Sequence, residues 1–175
     1  MKNRTLKSTL TALFLIAVPT GLHAEPSDLF DAIDKRLSYM QAVAAWKVDN
    51  NRPVEDLERE KVVLDAARTK AGQVGLAGDS VTGFFQAQIN AAKEIQTCWI
   101  GRWNDGAARP TDVPDLVEDV RPALLTLGNE ILQLMATEKV SSEDQQAFTA
   151  AMTVDCLSSQ AKEALFDGLL SVQSN

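Results

Sequence analysis

The sequence predicts an all-α fold, a single domain built as a bundle of about six helices. A chain of 175 residues is long enough for one domain with a real core. Aromatic residues make up only 6%, while Ala, Leu, Gln, Glu and Lys are plentiful, a balance that favours helix over sheet. Apolar residues recur at spacings of three and four along most of the chain. There is no strand-like alternation, internal repeat or low-complexity tract.

The first 24 residues stand apart. Met1 to Lys7 carries Lys2, Arg4 and Lys7 and no acid; "LTALFLIAVP" and then "TGLHA" follow. This is the basic, apolar and small-residue order of a cleavable export signal, with cleavage expected after Ala24. The apolar run is short for a membrane span, although an uncleaved anchor is the alternative reading. Residues 25–175 then form the mature helical domain. The expected location is the periplasm or the medium, with no membrane contact once the signal is removed.

The first helix is expected from a Ser27 N-cap to about Val48, since Leu29, Phe30, Ile33, Leu37, Met40 and Val43 form one stripe. "DNNRP" ends it, because Pro53 biases Arg52 away from helical geometry. A second helix is expected over about 54–73, closed by Gly72, Gly75 and Gly78. A third, capped by Asp79 or Ser80, carries Phe84, Phe85, Gln88, Ile89, Ala92, Ile95, Gln96 and Trp99 and stops near Trp103. "NDGAARPTDVPD" reads as a loop. A fourth helix covers about 115–137, with a kink or a helix start expected at Pro122. These four helices span about 28–137. "SSED" opens a fifth segment, and residues 158–172 form a sixth, so the C-terminal helices span about 141–172.

Charge and residue types exclude several function classes. Removing residues 1–24 takes away three of 17 basic residues and none of 24 acidic ones, which moves the formal charge from −7 to −10. An acidic product of this kind is a poor nucleic-acid binder, because phosphate neutralisation needs a basic surface. The single histidine, His23, lies in the signal. The mature chain therefore has no Ser-His-Asp triad, no Cys-His pair and no His-ligated metal. Cys98 and Cys156 are the two cysteines; in an oxidising compartment they suggest one disulfide, with two buried free thiols as the alternative.

One constellation of charge stands out. Arg36 and Lys47 are eleven residues apart, three helical turns, and share a face within about 20°. "KVDNNRPVEDLERE" then returns the chain past a tight turn to Asp56, Arg59 and Glu60. Ala92 and Gln96 stack one turn apart on the third helix, and Arg121 follows on the fourth. Each has a bland reading: a snorkelling arginine, first-turn acids on a helix dipole, an amide satisfied by backbone. Periodicity alone goes no further.

"NRPVEDLEREKVVL" resembles the Lys…RPV-x-D-x-x-RE…L segment of the helical chorismate mutases, type II. Arg36 stands eleven residues before Lys47, as the family's arginine does. "VTGFFQAQINAAKEIQ" is similar to the family's Phe-x-x-Gln-Ile helix, and "PDLVEDVRPALLTLGN" resembles the later arginine segment of the secreted, periplasmic subclass. The resemblance covers roughly 28–130. It implies the chorismate mutase II fold and conversion of chorismate to prephenate, without cofactor or metal. It implies catalytic roles for Lys47 and Gln96, and substrate binding by Arg36, Arg59, Glu60 and Arg121, with Asp56 in support. Two departures matter. Val63 stands where some secreted members carry glutamine, and Ala92 replaces a Thr or Ser that helps hold a substrate carboxylate.

The alternative readings are a non-catalytic exported helical binding or adaptor protein, and a secreted effector acting on a protein partner. The small-molecule substrate is the only partner that the residues specify. The sequence leaves the oligomeric state open, a homodimer included.

Overall fold

The computed structural model describes residues 26–175. The expected signal, residues 1–24, lies outside the described residues. The helices are α1 (Ser27–Ser38), α2 (Met40–Asp49), α3 (Leu57–Gln73), α4 (Thr82–Asn104), α5 (Arg121–Thr137), α6 (Gln145–Ala151) and α7 (Ser159–Leu170). Among the described residues there is no strand, and no helix is long and apolar enough to cross a membrane.

Several boundaries differ from expectation for local reasons. The first helix starts after Pro26 with no side-chain cap, rather than on Ser27, and is interrupted at Tyr39. Tyr39 nevertheless keeps right-handed helical angles (φ −67°, ψ −15°), so α1 and α2 continue as one rod. The second expected helix begins at Leu57, not Val54, because Asp56 is its N-cap and accepts from the Arg59 amide. Neither Asp79 nor Ser80 caps α4. The Asp79 carboxylate is taken by Arg68 of α3, and the Ser80 hydroxyl donates to the Ala77 carbonyl. At Pro122 the expected helix start is found: α5 begins at Arg121, with the proline in its first turn. A π-helical turn, Leu116–Val120, runs into α5, with Val120 and Arg121 donating five residues back to Asp115 and Leu116. That wider turn absorbs the bond proline cannot make.

The core sits where α1 and α2 cross α4, α5 and the C-terminal helices. Phe30, Phe84, Phe85, Ile95, Ile131 and Phe148 are almost fully buried within it. Phe148 meets Phe30 edge-on at 5.2 Å and Phe166 at 5.3 Å, which joins α6 and α7 to α1. The chain end is pinned as well: Ala77 donates to Gln173 and Asn175 to Gly75 across an isolated bridge. Gly75 makes that turn at φ +86°, a conformation glycine adopts without strain.

Cys98 of α4 is bonded to Cys156, 58 residues on. The bridge ties the segment before α7 to the long central helix, and closing a loop of this size stabilises by about 4 kcal/mol in the chain-entropy account. Helices α4 and α7 also approach very closely. A Cβ placed on Gly168 would lie 2.7 Å from the Phe84 Cα and 3.0 Å from its amide nitrogen. Backbone cannot yield as a flexible side chain can, so Gly168→Ala must push α7 away from α4. The expected cost is about 2–3 kcal/mol, the upper range for overpacking, and should appear as a lowered denaturation midpoint with an unchanged denaturant slope. An unchanged midpoint would show that α7 is not seated this closely.

Candidate active site

Helices α1 and α2, α3, α4 and α5 line a cavity of about 330 Å³. The continuous α1–α2 rod points Arg36 and Lys47 into it, three turns apart. The return turn through Pro53 brings Asp56, Arg59, Glu60 and Val63 to the facing wall. Ala92 and Gln96 line it from α4, and Arg121 from the start of α5.

Arg36 is the most deeply set charge of the cavity, 7% exposed. Its Nη1 donates to Gln88 Oε1 at 2.5 Å, and its Nε is buried without a partner. Burial and then the charge of Arg59 push its pKa down to about 10, so it stays cationic at neutral pH. Lys47 Nζ donates to the Val54 carbonyl at 2.6 Å, which aims the ammonium while leaving two N–H groups unused. Its pKa is lowered, mostly by burial. The carboxylates of Asp56 and Glu60 oppose the shift, while Arg121 and Arg52 reinforce it. Burial, then Arg121, lowers Arg59, with Asp56 opposing. Each of these cations thus feels another across the cavity. None of Arg36, Lys47, Arg59 and Arg121 forms an ion pair with a described carboxylate.

Gln96 is 4% exposed. Its Nε2 donates to the Ala92 carbonyl at 2.9 Å; Met40 Sδ lies 3.7 Å away, a weak acceptor for the second N–H. Glu60 is not free: Lys93 Nζ reaches its Oε2 at 3.2 Å and Glu55 at 3.4 Å. Among the described residues no group of three His, Cys, Asp or Glu side chains converges to hold a metal ion.

Residues 27–97 match the family described as chorismate mutase type II. The chain is 35% identical over 149 residues to a monofunctional chorismate mutase of Enterobacter agglomerans, covering 83% of this chain and 82% of the relative. The chain belongs to the chorismate mutase family. It is also 34% identical over 139 residues to a secreted chorismate mutase of Yersinia pestis, covering 77% of this chain and 74% of the relative. The crystal structure of secreted chorismate mutase from Yersinia pestis superposes with a TM-score of 0.80 at 31% identity, covering 85% of this chain and 98% of that one.

In this chorismate mutase family member, three polar residues escaped the sequence reading. Gln88, fully buried, was seen only as part of the α4 stripe. A glutamine on an apolar face one turn before Ala92 and two before Gln96 was the available signal. Lys93 and Asn129 also line the cavity. Lys93 sits next to Ala92, but nothing in the sequence pairs it with Glu60, 33 residues away. Asn129 lies eight residues after Arg121 and so repeats its helical face, a periodicity visible in the sequence but unused.

Proposed function

We propose that this cavity binds chorismate and rearranges it to prephenate by a [3,3] sigmatropic shift. The observation that carries the reading is four converging cations, Arg36, Lys47, Arg59 and Arg121, with no carboxylate among the described residues paired to them. Such a cluster in a strongly acidic protein calls for an anionic ligand. Chorismate is a dianion, and the family match supplies the rest.

In the rearrangement one C–O bond breaks and one C–C bond forms within a single molecule. No nucleophile, redox partner or external proton is consumed, which suits a site without histidine. Arg36, Arg59 and Arg121 would grip the two carboxylates and hold the compact diaxial conformer, so the entropic part of the barrier is met on binding. Lys47 and Gln96 would donate to the ether oxygen as it gains charge. Glu60, fixed by Lys93, would accept from the ring hydroxyl. Asp56 acts one step back, by capping α3 under Arg59. Val63 leaves the hydroxyl contact to Glu60, and Ala92 leaves one carboxylate short of a side-chain donor.

The reading extends to export, with residues 1–24 removed. The protein should be recovered outside the cytoplasm with Glu25 at its N-terminus, and the purified product should consume chorismate in an absorbance assay. A product beginning at Met1 would remove the export assignment. A correctly folded product without turnover would favour the exported binding protein instead.

A further inference from the structure

Among the described residues, two uncharged polar side chains line the cavity, Gln96 and Asn129. Gln96 is engaged with Ala92. The half-buried Asn129 makes no side-chain hydrogen bond to any described residue, although its amide carries two donors. It lies on the cavity face of α5, where Arg121, Leu125, Gly128, Asn129 and Leu132 follow at helical spacing. Its neighbour Gly128 abuts the deepest cation: a Cβ there would lie 4.0 Å from Arg36 Nε and 3.9 Å from the Phe85 ring. Arg36 Nε is itself buried without a partner. The cavity wall thus carries an unspent amide on α5, one residue from the glycine that abuts the unpartnered Arg36 Nε, while Ala92 on the α4 wall has no side-chain donor.

We propose that Asn129 is a substrate-binding residue, its amide donating to the carboxylate that Arg36 holds and replacing the side-chain donor that Ala92 lacks. The assignment rests on the mutase reading above. A donor to a carboxylate acts alike on ground state and transition state, so its loss raises KM and spares kcat.

The test is steady-state kinetics with chorismate on the full mature protein. Asn129→Ala and the near-isosteric Asn129→Leu should each raise KM about tenfold, the usual scale for a hydrogen bond to a charged group, with kcat within about twofold. Asn129→Asp should raise KM further, and more at low salt, by setting a negative charge against the substrate. Ala92→Thr should recover most of the loss in the Asn129→Ala background, because the new hydroxyl then serves the carboxylate that has lost its amide donor. Thermal melts confirm that each variant is folded. An active wild type with unchanged KM in the folded variants overturns this inference alone. A fall in kcat at constant KM, or no rescue by Ala92→Thr, overturns it too. A wild type without turnover overturns the mutase reading and this inference with it.

Discussion

Lys47→Ala should lower chorismate turnover by at least two orders of magnitude while leaving the helical circular dichroism unchanged. The ammonium is half-buried and aimed by its bond to the Val54 carbonyl, with two donors to spare. If those donors meet the ether oxygen, they act on charge that is absent in bound substrate and present in the transition state. Such a donor, fixed in advance in a site shielded from water, is worth about 3 kcal/mol, roughly a hundredfold or more in rate. The effect belongs in kcat, because uniform binding by the arginines is untouched. The fold should survive. Alanine suits the end of α2, and the only bond lost within the protein is to Val54, worth about 1 kcal/mol. Near-normal kcat in a folded variant would sink the assignment of Lys47 to the breaking bond.

Gln96→Glu should turn a flat pH profile into a falling one. The wild-type amide donates from a neutral NH₂ that does not titrate, so turnover should be nearly constant from mildly acidic to mildly basic pH. A carboxyl donates only while protonated. Once ionised, it presents an acceptor to an oxygen gaining negative charge. The variant should therefore keep activity at low pH and lose it by two orders of magnitude or more as the acid ionises. Burial at this nearly inaccessible position raises the new carboxyl's pKa, while Arg36, Lys47, Lys93, Arg59 and Arg121 around the cavity lower it. Those opposing effects set the midpoint, not the direction. Rates for both proteins across the range decide the matter, and a flat profile at wild-type rate for the variant would place Gln96 away from the reacting atoms.

The site was legible in the sequence to the extent that helical spacing controls it. Arg36 and Lys47 share a face because eleven residues make three turns, and they do so even across Tyr39, whose angles stay helical. Asp56, Arg59 and Glu60 occupy one turn of a helix that Asp56 itself caps, so their grouping was local. Contacts between helices were not legible in this way. Gln88 meets Arg36 across 52 positions and Lys93 meets Glu60 across 33, and no periodicity predicts which residue of one helix faces which of another. The π-helical turn before Pro122 was missed because proline forbids one hydrogen bond without saying how the chain reroutes it.

The sequence by itself determined the helices, the acidic charge, the family segment and which side chains shared a face, since all of these follow from neighbours within a turn or two. Tertiary structure decided what those faces meet. It closed four cations around one space and left them without carboxylate partners among the described residues. It gave Glu60 to Lys93 and Arg36 to Gln88, and it left Asn129 unspent at the cavity wall. The physical reason is range. Backbone hydrogen bonding repeats every few residues and is written locally, whereas packing pairs side chains distant in the chain and depends on the shapes of all the helices at once.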